Sequence, residues 1–437
     1  MLQPINIFWF RRDLRLHDNA ALFHALSSGI PVLPIFIFDR FILDELEDRS
    51  DRRVNFIYAA LQNIQLDLKN QQSSLLVQYG FPKDVFEKLI LEYNIQAVFT
   101  NHDYEPYATE RDEEIKKLLS IKNIQFKTFK DQVIFEKDEI KKDEGSHYTV
   151  YTPYSKKWLA SFNTDCCKAF NSETLRDQFL NNISFDMPSL EEMNFIDNKT
   201  LKIQATVDES IITEYQNTRN FPAVEGTSRI GVHLRFGTIS VRQLIKQILP
   251  LNETFLKELI WREFFMHLLW HKPQLVNRCY KPEYENIQWN NNEEEFERWC
   301  RGTTGYPIVD AGMRQLNETG FMHNRVRMIA ASFVVKHLLV DWRWGEAYFA
   351  KKLLDFELAS NNGNWQWVAG CGCDAAPYFR IFNPAIQTQK FDVKEEYIKK
   401  WVPEYKDKNY PSPIIQHEWA RQRCLAEYKK ALSSKYF

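Results

Sequence analysis

Three stretches of the chain embed polar and charged residues in apolar helical sequence, where chemistry rather than solvation would explain them. In Glu258-Leu-Ile-Trp261-Arg262-Glu263 a carboxyl and an indole stand three apart and share one helix face. Such a pair can read the edge of a heterocycle while stacking on its plane, although an amphipathic helix with a solvated Glu explains the same spacing. In Gly226-Thr227-Ser228-Arg229-Ile230-Gly231, hydroxyls and backbone amides at a loop opening onto a helix could hold phosphate oxygens. Helix capping by Thr227 or Ser228 accounts for that pattern equally well. The third stretch joins Met322-His323-Asn324-Arg325-Val326-Arg327-Met328 to the run from Asp355 to Trp367. Helical spacing puts Asn324 and Met328 on one face, and Asp355 is an acidic partner within the stretch for Arg327, which would need one if buried. Trp365 and Trp367, one residue apart, should point in different directions.

These residues need a scaffold, and the chain offers two kinds. Over residues 1–130, short apolar runs at 5–10, 32–38, 75–78, 97–100 and 126–129 read as strands, and the segments 19–27, 52–69, 83–93 and 105–120 between them carry helical periodicity. That alternation predicts an α/β domain with a parallel sheet, whose ligands would sit at the carboxyl ends of the strands. Neither GxGxxG nor GxxxxGK[ST] occurs, so a standard dinucleotide or phosphate loop is not expected. Residues 131–200, opening on a charged stretch at 136–144, read as a linker. From 201 to 437 helical periodicity dominates, as at 240–248, 253–270, 324–339 and 344–356, and an all-helical second domain is expected. Ten of the twelve Trp lie in it, a concentration that suits a ring-binding surface or a redox relay, although any single Trp is as readily core packing.

Composition narrows the function classes. The 437 residues are 44% hydrophobic with only 14 Gly and 17 Pro, which excludes disordered and collagen-like chains. No apolar run approaches the roughly 18 residues of a spanning helix and no secretory leader opens the chain, so a cytoplasmic protein without a membrane partner is expected. Seven scattered Cys form neither a disulfide framework nor a paired CxxC zinc site; reduced thiols and no metal are the expectation. Lys and Arg total 56 against 58 Asp and Glu, but residues 1–200 carry a net −7 and residues 201–437 a net +5. A polyanion would therefore bind the second half.

Several longer motifs together resemble one family. Trp9-Phe-Arg11-Arg12-Asp13-Leu-Arg15-Leu-His-Asp18-Asn19, the TSRIG loop, TGYPIVDAGMRQL from Thr304, MHNRVRM from Met322, NNGNWQW from Asn361 and DAAPYFRIFNP from Asp374 are similar to the photolyase/cryptochrome family over nearly the whole chain. The pattern is most like the class I cyclobutane pyrimidine dimer photolyases. The resemblance implies an N-terminal α/β antenna domain and a C-terminal helical domain holding folded FAD, which is active when reduced. It further implies FAD contacts at Tyr215, Thr227, Ser228, Arg229, Ile230, Gly231, Arg262, Arg327, Asp355, Phe356, Glu357 and Asn361, the last facing flavin N5. Trp261 and Trp367 match the indoles that hold the dimer, and Glu258, Asn324 and Met328 match its polar and thioether contacts. Arg219, Arg262, Arg325 and Gln387 match positions near DNA, and Trp365, Trp342 and Trp289 match a three-tryptophan electron relay.

What the resemblance implies about activity is light-driven reversal of a cyclobutane dimer in UV-damaged duplex DNA by a monomer, with Glu258 stabilising the dimer radical anion. Six-four photolyases would show a His pair where His323 is followed here by Asn324. Folate-binding relatives carry an Asn-Glu pair after their Tyr-Glu, whereas Tyr104-Glu105-Pro106 leads here to Tyr107 and Ala108. The antenna chromophore is thus left open among a deazaflavin, a second flavin and an empty site, with folate disfavoured. Two other readings compete: an FAD-binding cryptochrome photoreceptor without repair, and a nucleotide-binding α/β module fused to a helical interaction domain.

Overall fold

The computed structural model describes residues 2–198 and 206–433. Its backbone divides into two compact units. The first comprises residues 1–136, 162–206 and 230–247, and the second residues 137–161, 207–229 and 248–437.

In the first unit, β1 (Pro4–Phe10), β2 (Val32–Asp39), β3 (Leu76–Gly80), β4 (Asn94–Asn101) and β5 (Gln125–Phe129) form one sheet in the order β3-β2-β1-β4-β5. Every pairing is parallel, with Ile7 opposite Leu33 on one side and opposite Val98 on the other. The continuous apolar runs of β1 and β2 are buried almost throughout, as strands covered on both faces must be, whereas the edge strand β5 is half exposed. Helices α1 (Ala20–Leu26), α2 (Arg52–Lys69), α3 (Pro82–Glu92) and α4 (Pro106–Ile121) alternate with the strands. Asn19 and Asp51 cap α1 and α2, and Pro opens the first turn of α3 and α4, where its missing N–H is not needed.

The expected 131–200 linker is not a separate tether. Residues 137–161 group with the helical unit and residues 162–206 with the sheet unit, where Leu180 N–H donates to the Val32 carbonyl at 2.8 Å. The expected boundary at 200/201 lies outside the described residues. Residues 230–247, expected in the helical domain, also belong to the sheet unit. Buried ion pairs explain this: Arg242 meets Asp18 at 2.9 Å and Asp131 at 2.8 Å, and Asp131 also holds Arg15 at 2.7 Å. Around the same loop Asp13 accepts from Arg11 N–H at 2.7 Å and from Asn101 at 2.5 Å. The Arg-rich opening motif is therefore a folding hub.

Among the described residues the second unit is helical as expected, apart from one bridge between Lys141 and His147. Its functional elements are α5 (Tyr151–Ser161), α6 (Glu253–His271), α7 (Pro307–Thr319), α8 (Asn324–Ser332), α9 (Trp342–Lys352) and α10 (Leu358–Ala369). The helix expected to run over 324–339 changes pitch after Ser332 into a π-helical turn, Phe333–His337, and the one expected over 344–356 runs instead from Trp342 to Lys352. Trp299, Trp342 and Trp365 lie in one buried cluster with Val334, Leu338 and Phe349. The TGYPIVDAGMRQL motif is also structural: buried Asp310 accepts from Thr304 N–H and Oγ1 at 2.8 and 2.6 Å and from Gly305 N–H at 3.1 Å.

Candidate active site

A cavity of about 360 Å³ opens in the helical unit, and three of the four helices that wall it are ones the sequence patterns predict. Glu258, Trp261, Arg262 and Phe265 line it from α6 at spacings of three and four, one stripe of that helix. Asn324, Arg327 and Met328 come from α8, Phe349 from α9, and Asn361, Trp365 and Trp367 from α10. Asp355, Phe356 and Glu357 reach it from the turn before α10.

The charges in this wall are paired. Arg327 meets Asp355 at 2.8 Å while its Nε donates to the Met322 carbonyl at 2.7 Å, and Arg262 meets Glu357 at 3.2 Å. Ser360 Oγ donates to Glu357 at 2.9 Å. Arg219 forms an ion pair with Glu258 and lies over the Tyr215 ring. Burial pushes the Glu258 carboxyl above its ordinary range, and the Arg219 charge only partly offsets that. Burial and the Glu258 charge push the Tyr215 phenol up to about 12.

Two partners escaped the sequence reading. Tyr151, in the segment expected to be linker, stacks on Trp261 with centroids 3.6 Å apart and planes 5° from parallel. One indole face is thereby covered and the ring is fixed. Glu346 on α9 takes the amide of Asn361: Nδ2 donates to its Oε1 at 2.7 Å and to its carbonyl at 3.2 Å. Because a backbone carbonyl only accepts, this fixes the amide with its NH₂ toward Glu346 and leaves Oδ1 as the acceptor for a cavity partner. No periodicity reports either contact, since each joins different helices.

Other expected residues lie elsewhere. Thr227 and Arg229 line a different cavity of about 190 Å³ with Phe321 and His323, and Ser228 lines neither. Ile230 and Gly231 belong to the sheet unit, where Gly231 starts a short helix to Phe236. Tyr215 touches Phe255 edge-on at 5.0 Å without lining the large cavity. Arg325 donates to Asn220 at 2.6 Å and covers Phe391, and Gln387 lies on the helix Pro384–Phe391. Trp342 is buried and Trp289 packs against the same cluster. The rings beside Trp365 are Phe349 at 5.0 Å and Trp299 at 6.3 Å; among the described residues no ring contact joins Trp365 to Trp342 or Trp342 to Trp289.

Paired arginines, amides and a hydroxyl around aromatic walls suit a large ligand that combines a polar heteroaromatic ring with charged groups. Together with a parallel α/β unit, that cavity defines a two-unit protein with a site for a bulky, charged, ring-bearing ligand. Residues 6–172 match the family model for DNA photolyase, and residues 255–409 match the FAD binding domain of DNA photolyase. The chain is 36% identical to the deoxyribodipyrimidine photo-lyase of Escherichia coli (strain K12) over 98% of its own length and 99% of the relative's. A bacterial class III photolyase from Agrobacterium tumefaciens superposes with a TM-score of 0.89 at 32% identity, covering 99% of both chains. An archaeal photolyase from Sulfolobus tokodaii, whose structure contains two FAD molecules, superposes with a TM-score of 0.79 at 35% identity, covering 98% of this chain and 100% of that one. The chain belongs to the DNA photolyase family.

Proposed function

We propose that the protein is a deoxyribodipyrimidine photo-lyase that uses light to reverse cyclobutane pyrimidine dimers flipped out of duplex DNA. The observation that carries this reading is that the residues matched to the lesion, Glu258, Trp261, Asn324, Met328 and Trp367, line the same cavity as Arg262, Arg327 and Asn361. Substrate and cofactor sets thus share one cavity. A base lesion inside a duplex can reach such a cavity only by leaving the stack, as in other enzymes that do chemistry on a flipped base. A damaged, poorly stacked pair is the cheapest to extrude.

When bound and excited, reduced FAD would provide reversible one-electron donation with no net redox change. Arg262, Arg327, Asp355, Phe356, Glu357 and Asn361 would hold it, their charges and amides matching a flavin nucleotide. Asn361 Oδ1, freed by Glu346, accepts a hydrogen bond and so favours a ligand nitrogen that carries hydrogen, the reduced state. Trp261, backed by Tyr151, gives the lesion a rigid stacking plane. Glu258 stands on the wall where charge would develop on a bound dimer, and its ion-pair partner Arg219 would supply a cation to stabilise that charge. Trp365, Trp342 and Trp289 are assigned the supply of electrons to oxidised flavin, and the two-FAD archaeal relative supports a second chromophore of open identity.

We further assign action in the cytoplasm, a reducing compartment that suits seven free thiols. The test is repair by pre-reduced protein of duplex oligonucleotides carrying a cyclobutane thymine dimer or a six-four product, in blue light and in darkness. Light-dependent reversal of the cyclobutane dimer alone is expected. Failure on both lesions with reduced FAD bound would assign the chain to photoreception instead.

A further inference from the structure

We infer that the helical unit carries a second ligand site, a three-histidine centre of His147, His267 and His271 for a late first-row divalent cation of the zinc class. His267 and His271 are four apart on α6 and share one of its faces, and His147 comes from the loop before α5. One ligand atom from each lies within 4.8 Å of the others. The rings of His147 and His271 stack with centroids 3.4 Å apart, and His267 meets them edge-on at 5.7 and 4.6 Å.

Hydrogen bonding selects the tautomers that ligation needs. The Lys137 carbonyl lies 3.1 Å from His267 Nδ1 and 3.1 Å from His271 Nε2. A carbonyl oxygen only accepts, so both nitrogens carry hydrogen, and neutral rings keep lone pairs on His267 Nε2 and His271 Nδ1. Metal-binding imidazoles characteristically donate their second N–H to a backbone carbonyl or carboxylate, and here one carbonyl orients two of them. Lys137 holds that carbonyl from a left-handed backbone, φ 48°, which a lysine seldom adopts.

A second observation points to an occupant. His267 is only 5% exposed, and its Nε2 has no hydrogen-bond partner; neither has Nδ1 of His147. Buried polar atoms are ordinarily satisfied, and a cation held by this cluster would supply the partner that these atoms lack. Asp138 Oδ1, paired with Lys141 at 2.9 Å, stands 3.8 Å from His271 Nε2 and 3.9 Å from His147 Nδ1, an anion beside the cluster. Imidazole donors suit Zn²⁺, Cu²⁺ and Ni²⁺, whereas Mg²⁺ and Ca²⁺ require oxygen cages. Tetrahedral Zn²⁺ with bonds of about 2.0–2.1 Å needs its nitrogens closer together than they stand here, so binding turns the loop-borne His147 ring out of its stack on His271. The cation would then fasten the 137–148 loop to α6, the helix that carries Glu258 and Trp261.

The test uses the full-length flavoprotein, stripped of metal by chelation and dialysed, then titrated with Zn²⁺ by calorimetry and with Co²⁺ by visible absorption. One cation per chain with micromolar or tighter affinity is expected, with the intense visible bands of tetrahedral Co²⁺. His147→Ala and His271→Gln should each weaken binding about tenfold or more while FAD absorbance stays intact. Absence of uptake by the wild-type protein overturns the site, whatever the variants do. Undiminished uptake by a folded, FAD-loaded H147A/H271Q double variant also overturns it, by placing the metal elsewhere.

Discussion

Gly345 has no side chain because the Trp365 indole occupies the space: a Cβ there would fall inside contact distance of the ring's outer edge. Trp365 is thus held between α9 and α10 by packing, with its other neighbours Phe349 and Trp299 edge-on. The position assigned to electron entry is therefore also a core position, and two substitutions separate those roles. Trp365→Phe keeps an aromatic filling and should abolish photoreduction of oxidised flavin while pre-reduced protein still repairs; loss of that repair would refute the relay assignment. Gly345→Ala should cost about 1–3 kcal/mol by overpacking and slow photoreduction through a displaced indole. Thermal unfolding and transient absorption of the one variant check both effects.

His323 caps α8, accepting from Arg325 N–H at 3.2 Å, and that helix brings Asn324, Arg327 and Met328 to the cavity. Burial first, and then the charges of Arg327 and Arg325, hold its imidazole down to about 4. The unfolded chain, with a value near 6.5, takes up the proton earlier on acidification. Stability is therefore intact above about 6.5, falls by about 3 kcal/mol as pH drops to about 4, and changes no further through this group below that. His323→Asn keeps a capping acceptor but does not titrate, so denaturant unfolding from pH 7 to pH 4 should show a shallower loss; an unchanged slope would remove His323 from the account. The helix itself was legible in the spacing of Asn324 and Met328, as the sheet was in its apolar runs. The π-helical turn after Ser332 was not, because residues 333–340 stay buried through the change of pitch and are apolar apart from Lys336 and His337. Nor were the Tyr151–Trp261 stack and the Glu346–Asn361 pair, which depend on how separate helices pack.

At the scale of the molecule, sequence order and spatial grouping part company where charges are buried. Residues 230–247 read as helical-domain sequence, yet Arg242 ties them to the sheet unit through Asp18 and Asp131, a partnership across more than 100 residues that no local pattern encodes. Asp131→Asn would leave Arg15 and Arg242 without their shared carboxylate and should cost about 3–5 kcal/mol, read as a lowered unfolding midpoint. The charge balance makes a separate demand. The helical unit carries 33 Lys and Arg against 31 Asp and Glu, a net +2, and holds the lesion cavity, whereas the sheet unit carries a net −4, so DNA should approach the helical unit. Arg219 and Arg325 set a minimum of about two neutralised phosphates, and with each worth about −0.9, log K against log salt should fall with a slope of about −2 or steeper for damaged and undamaged duplexes alike. A flat dependence for dimer-containing DNA would mean that affinity comes from the flipped lesion alone and that the charge of the helical unit plays no part in approach.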